Sequence, residues 1–213
     1  MFKGIFFKAL FTLLVIQLIM ACNAPSNLKT GDILFRGKQN GSLSSAIDAV
    51  TQTGLDHHYT HVGVVEMLDG EVMVWHAAPK KGVVCETLAQ FVDSEKMDSL
   101  VVGQYRAKTI TQTSIVEALK KAKELEGQAY DYTYILESEG YYCSEFVYEL
   151  FAQDSLFKME PMTFINPATD SFHEAWLTHY EDLGLDIPEG LPGCNPNGMA
   201  ASDQLDFIGY LKL

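Results

Sequence analysis

Basic residues are scarce in this chain: 15 Lys and Arg stand against 28 Asp and Glu, a formal charge of −13 at pH 7. That imbalance repels phosphate backbones and gives no electrostatic pull toward anionic lipid, so nucleic-acid binding is not expected. Cysteine is sparse as well. Only Cys22, Cys85, Cys143 and Cys194 occur, none of them in a Cys-x-x-Cys pair, so no structural metal is expected. There is no internal repeat, and the apolar stretch that ends at Met20 is too short and too near the terminus for a convincing membrane span. What is abundant is apolar side chain: 47% hydrophobic residues, many of them aromatic, argue against a disordered chain.

Lys3 and Lys8 flank the start of that apolar stretch, which closes on Ile19-Met20-Ala21-Cys22. A charged beginning, an apolar middle and a small residue before the cut suit a secretion signal. The junction resembles a bacterial lipobox, which implies cleavage before Cys22, acylation of that residue and attachment to a membrane of the bacterial cell envelope, on its periplasmic or surface side. Residues 1–21 are then a signal, 22–29 a lipidated tether and 30–213 one domain. Loss of the signal removes Lys3 and Lys8 and no acid, taking the formal charge from −13 to −15. With Cys22 acylated, three cysteines remain, so one thiol is left free. Whether Cys85 and Cys194 pair is open, because sequence does not set the distance between their Cα atoms.

Along the mature chain, Gly31-Asp32-Ile33-Leu34-Phe35-Arg36 reads as a short entering strand, and Ser42 to Thr53 has apolar residues at helical intervals. Thr60 to Met67 and Glu71 to Ala78 are rich in valine and separated by Leu68-Asp69-Gly70, a turn signal that predicts a hairpin. Strands over Val83 to Glu86 and Leu100 to Arg106, with a short helix near Leu88 to Val92 between them, extend it into an antiparallel sheet. Thr109 to Glu126 carries Ile115, Ala118, Leu119, Ala122 and Leu125 at helix spacing, with Gly127 as the stop. Cys143 to Gln153 repeats the pattern with Phe146, Val147, Leu150 and Phe151. The Pro-, Gly- and Asn-rich segment through Gly198 reads as a long ordered loop, and Asp206 to Leu211 as a last strand. The fold class is α+β.

Chemistry concentrates where these elements meet. His61 opens the first hairpin strand and His76 closes the second, so the turn between them brings both to one edge of the sheet. Cys143 stands at the start of its helix, where a thiolate is favoured by the helix N-terminus and by a neighbouring imidazole. The residues therefore suggest Cys143 as nucleophile, His61 as base and His76 as the group that holds the base in its working tautomer. Singly, a cysteine in an apolar helix is more often an inert packed thiol, and a histidine at a strand end is more often solvated. The adjacent His57 and His58 read as loop residues.

Thr-His-Val-Gly-Val-Val, a glycine-containing turn, Trp-His-Ala, and Tyr-Cys-Ser-Glu-Phe-Val on a helix resemble the NlpC-type papain-like cysteine peptidases and amidases. Here the histidine strands precede the cysteine helix. That order, with Gly31-Asp32-Ile33-Leu34 and Gly127-Gln-Ala-Tyr-Asp-Tyr132, resembles the circularly permuted YiiX/YaeF-like branch, related in turn to lecithin:retinol acyltransferase-like proteins. The resemblance implies a papain-like fold with the nucleophile helix packed on an antiparallel sheet, and amide hydrolysis through a thioester without metal or organic cofactor. It implies Cys143 and His61 as family positions and Tyr130 as a cleft-lining aromatic, which reads equally well as a packing residue. The third position is open between His76 and Glu66, although Glu66 has the opposite strand parity to His61. Peptidoglycan stem peptides are the expected substrate. Lipid acyl transfer or thioester hydrolysis by the same residues, and a non-catalytic binding lipoprotein, are the alternatives.

Overall fold

The computed structural model describes residues 27–37, 41–92 and 101–211. The signal, Cys22 and the first part of the tether lie outside the described residues.

The chain enters through β1 (Ile33–Gly37), α1 (Ser42–Thr51), β2 (Tyr59–Leu68), β3 (Glu71–Ala78), β4 (Gly82–Thr87), α2 (Leu88–Val92) and β5 (Val102–Ala107). Two helices follow, α3 (Gln112–Glu124) and α4 (Cys143–Leu150). The C-terminal third holds β6 (Glu160–Pro161), β7 (Ile165–Asn166), β8 (Ser171–Phe172), α5 (Glu174–Leu183), β9 (Pro192–Gly193), α6 (Pro196–Ala200) and β10 (Leu205–Tyr210). The main sheet has six strands in the order β10-β5-β1-β2-β3-β4, every neighbouring pair antiparallel. The expected α+β class and the antiparallel sheet are both present.

Alternation along the strands divides the core. Ile33, Phe35, Val62, Val64, Trp75, Ala77 and Val83 project to one face, where they pack on Ala118, Leu119 and Ala122 of α3 and on Phe146, Val147 and Leu150 of α4. Leu34, Val65, Val72, Val74 and Val102 project to the other, against Phe91 of α2. A third cluster, built on Tyr134, Tyr142, Phe164, Trp176 and Tyr180, joins α4 to α1 and α5.

The helices end where local chemistry dictates. Thr111 caps α3 by accepting from the Ser114 amide at 3.1 Å, and Lys121 and Lys123 sit in its last turn, where a cation suits the helix dipole. In α4 the Glu145 carboxylate reaches back to the Tyr142 amide at 3.3 Å. The helix stops at Leu150, and a 3-10 turn over Ala152–Asp154 replaces the last turn expected from the sequence. The Gly31-Asp32 motif has a structural explanation: the buried Asp32 carboxylate takes Arg106 at 2.6 and 2.8 Å and Gln104 at 2.6 Å, tying β1 to β5.

The segment read as a long loop differs from that expectation. It contains α5, α6 and two small sheets, β6 with β9 and β7 with β8. Trp176 and Tyr180, four apart on α5, bury one face of it at 2% and 1% exposure. The flanking Gly and Pro hide that two-residue stripe from a composition reading.

Candidate active site

Cys143 is the first residue of α4, and its side chain is 5% exposed. Burial pushes the thiol up to about 11, while the amides of Ser144 and Val62 and the charge of Arg36 pull it the other way. At this helix position its own backbone N–H has no partner within the helix, which leaves a donor beside the sulfur. Ser144 is already engaged, donating to the Cys194 carbonyl at 3.0 Å.

The histidines meet as the hairpin predicts. His61 Nε2 and His76 Nδ1 are 2.7 Å apart, and His76 Nε2 lies 3.0 Å from Glu86 Oε2. Lys81 pairs with the other oxygen of Glu86. The chain of contacts assigns the protons. Glu86 is held down to about 2, chiefly by its hydrogen bond from His76, so it is an acceptor near neutral pH. His76 therefore donates from Nε2 and accepts at Nδ1, and His61 donates from Nε2 and keeps Nδ1 as a free base. Burial lowers the pKa of both imidazoles, that of His61 well below its ordinary value with help from Arg36 and His76. Both rings are neutral at pH 7.

Strand parity sets where these groups lie. Arg36 pairs with His61 across β1 and β2, and the register shift between Arg36 and Gly37 falls beside them, a bulge of the kind that re-aims side chains next to sites. The two imidazoles and the Arg36 guanidinium pack around the Phe91 ring, on the α2 side of the sheet. Arg36 also donates to the Phe91 carbonyl. Val62 and Val64 point the other way, toward α4. The Cys143 sulfur meets the sheet at the Val62 amide, one residue along from His61, and no hydrogen bond among the described residues joins the thiol to either imidazole.

Glu66 lies on the α3 side, where it accepts from Trp75 Nε1 at 2.7 Å and from Lys123 Nζ at 2.6 Å. Its parity and its partners separate it from the histidines. His58 pairs with Asp48 at 3.0 Å and His57 packs on Tyr210, both ahead of β2 as loop residues. Cys85, Cys143 and Cys194 are all free thiols, so the possible Cys85–Cys194 bridge is not formed.

Tyr130 is half-buried and lines a cavity of about 540 Å³ that also reaches Cys143. It forms an isolated bridge with Tyr141, just before α4. The C-terminal segment closes this region: Asn197 accepts from the Tyr59 amide at 2.5 Å and donates to Thr51 at 2.9 Å, and the Cys194 amide donates to Tyr142 Oη at 3.3 Å.

Sequence reasoning missed Glu86, Arg36 and Asn197. Glu86 had a signal: it pairs with Val74, one diagonal step from His76 on the same face. Reading it needed the β3–β4 register, which the Pro79-Lys80-Lys81-Gly82 turn sets.

A thiol on the first turn of a helix, packed against an antiparallel sheet that carries a buried imidazole pair, is the architecture of papain-like cysteine hydrolases. Residues 27–209 match the family described as permuted papain-like amidase enzyme, YaeF/YiiX, C92 family, and the chain belongs to it. It is an enzyme, a cysteine hydrolase of that superfamily. Among solved structures it is similar to one described as the metalloprotein yiiX from Escherichia coli O157:H7. The likeness has a TM-score of 0.68 at 22% identity, over 85% of this chain and 96% of that one, and it is a likeness of fold. No curated protein matches the chain.

Proposed function

We propose that the protein is a lipid-anchored amidase in which Cys143 is the nucleophile, His61 the base and His76 the group that orients it. The observation that carries this reading is the hydrogen-bonded chain His61–His76–Glu86, which ends at His61, the residue next to Val62, whose amide bonds the Cys143 sulfur. As the sulfur attacks the amide carbonyl, His61 Nδ1 takes the thiol proton, and the Cys143 amide donates to the oxygen that gains charge. The C–N bond breaks as His61 returns that proton to the departing amine, leaving a thioester on Cys143. Water then gives a proton to His61 Nδ1 and its oxygen to the acyl carbon, releasing the acid and restoring the thiol.

The resting thiol and imidazole are both neutral, so the proton moves as the bond forms and not from a ready-made ion pair. Closing the gap between sulfur and His61 Nδ1 falls to substrate binding, as catalytic hydrogen bonds commonly tighten in the Michaelis complex. Glu86 holds the imidazolium that forms on His61 through His76. The yiiX neighbour is described as a metalloprotein. Among the described residues here, no group of three or more His, Cys, Asp and Glu side chains is arranged to hold an ion, so no step is routed through one.

Anchoring through Cys22 rests on the lipobox-like Ile19-Met20-Ala21-Cys22 and on Lys3 and Lys8. Among the described residues no helix is long and apolar enough to cross a membrane. Stem peptides of the cell wall are the substrate this address suggests. A second reading, chemistry on lipid acyl groups, is favoured by the aromatic lining of the cavity at Cys143.

The test exposes peptidoglycan fragments and acyl amides to the protein and to Cys143→Ala, with products followed by mass spectrometry. Product is expected from the first protein only; identical profiles would remove the nucleophile. A Cys22→Ala chain that still fractionates with membranes would remove the anchor.

A further inference from the structure

The tether joins the domain beside an edge of the main sheet that carries exposed aromatic rings. The Asn27 carbonyl accepts from Gln104 Nε2 at 3.3 Å and from Arg106 Nη2 at 3.1 Å. Both donors belong to β5, where Gln104 stands opposite Gly209 and Arg106 opposite Asp206 of β10. Leu28 packs on the cluster that includes Leu211, the residue after β10. Cys22 precedes Asn27 by five residues, a reach of at most about 18 Å. Among the described residues β10 and β4 are the two edges of the sheet. β10 lies one strand spacing from β5, about 4.8 Å, whereas β4 lies four spacings away, about 19 Å.

The rings on β10 share a face because the strand is irregular. Phe207 and Tyr210 are 49% and 45% exposed, with ring centroids 4.8 Å apart. Residues three apart on a regular strand point to opposite faces. The register shift between Phe207 and Gly209 takes up the extra residue, so Phe207 stands opposite Tyr105 and Tyr210 opposite Gly103, which share a face of β5. The cations beside them are engaged, Arg106 with Asp32 at 2.6 Å and Lys108 with Asp206 at 3.8 Å. With a formal charge of −13 on the whole chain, what this edge offers a bilayer is apolar contact and not electrostatic attraction.

We infer that the β10 edge is the face the domain lays on the membrane, with Phe207 and Tyr210 seated among the lipid headgroups. The inference rests on acylation of Cys22. Aromatic rings favour the water interface of a membrane. A short tether makes their contact intramolecular, so an affinity too weak to hold a free protein there is enough. The exposed Leu177 of α5 belongs to a helix that packs on α1 and on the loop before α4, whereas the tether packs on β5.

The experiment reconstitutes the acylated full-length protein in vesicles of phosphatidylethanolamine and phosphatidylglycerol, with and without bromine on the acyl chains. Tryptophan emission is compared for Phe207→Trp, Tyr210→Trp and Leu177→Trp; the native Trp75 and Trp176 are buried and supply a constant background. The added emission of the two β10 variants is expected to shift to the blue and to lose about half its intensity or more to the brominated chains, because an interfacial ring sits roughly 5–10 Å deep. The loss is expected to be the same in low and high salt, and absent in Leu177→Trp. Equal quenching at all three positions, or at Leu177→Trp alone, would overturn the assigned face. Quenching abolished by salt would overturn the apolar contact. Flotation with vesicles and no quenching on β10 would remove the docking face and leave the anchor standing, whereas failure to float would sink both. A blue shift that appears only at high protein density on unbrominated vesicles would assign the edge to a second copy of the chain instead.

Discussion

At the scale of single residues, the proposed mechanism divides one task among four buried groups, Cys143, His61, His76 and Glu86. Cys143 is neutral because burial outweighs the amides and the Arg36 charge around it. His61 is neutral because burial and two nearby cationic or imidazole groups disfavour its proton. The sign of the pH dependence follows. A base whose pKa is lowered keeps its unprotonated form as pH falls through the ordinary histidine value of about 6.5, so kcat/KM is expected to hold between pH 6 and 8 and to fall only at lower pH. An acid limb centred between 6 and 7 would mean that His61 is not the base. The orienting groups rank by position. His76→Ala and Glu86→Gln are expected to lower kcat by about 10- to 100-fold, as loss of an outer-shell partner does elsewhere. Glu66→Ala is expected to act on stability, costing about 1–3 kcal/mol as Trp75 and Lys123 lose their acceptor. The reverse ranking on kcat would reassign the third position to Glu66.

At the scale of elements, the loop before α4 is set by backbone that comes too close for side chains. Gly82, at φ +73°, opens β4, and a Cβ there would stand 2.0 Å from the Gln128 carbonyl oxygen. Its neighbour Val83 exchanges hydrogen bonds with that loop, its amide to Gln128 at 2.9 Å and its carbonyl from Gly127 at 2.9 Å. Gly82→Ala therefore forces the strand and the loop apart. It is expected to lower unfolding stability in urea by at least about 2 kcal/mol, against a loss near 1 from conformation alone. An unchanged midpoint would contradict this tight approach. What the sequence could show of these elements follows period and turn chemistry. The β2–β3 hairpin was legible because valine-rich strands flank Asp69-Gly70, and α3 because its stripe runs for three turns into Gly127. The helix α5 was not, because its buried face rests on Trp176 and Tyr180 among residues whose composition reads as loop. The site divides the same way. Cys143, His61 and His76 stand out by local setting, whereas Glu86 and Asn197 act through register and tertiary closure that no single segment encodes.

At the scale of the whole molecule, the C-terminal third is what turns a sheet with a cysteine helix into an enclosed site. Asn197 ties α6 to the start of β2 and the end of α1, Ser144 and Tyr142 bind the Cys194 backbone, and α5 packs its aromatics against Tyr134 and Phe164. The same segment supplies Met199, Phe164 and Trp176 to the cavity wall, so the residues that close the site also line its cavity. The charge distribution agrees with that division: the chain is acidic overall, while the buried cavity lining carries no charge. The most direct test of the central claim is to mix the protein with an activated acyl amide, quench within a turnover, digest, and read the mass of the peptide that contains Cys143. The account predicts that peptide carries the acyl group through a hydroxylamine-labile thioester, and that Cys143→Ala carries none. An acyl group on another residue, or amide hydrolysis undiminished in Cys143→Ala, would contradict it.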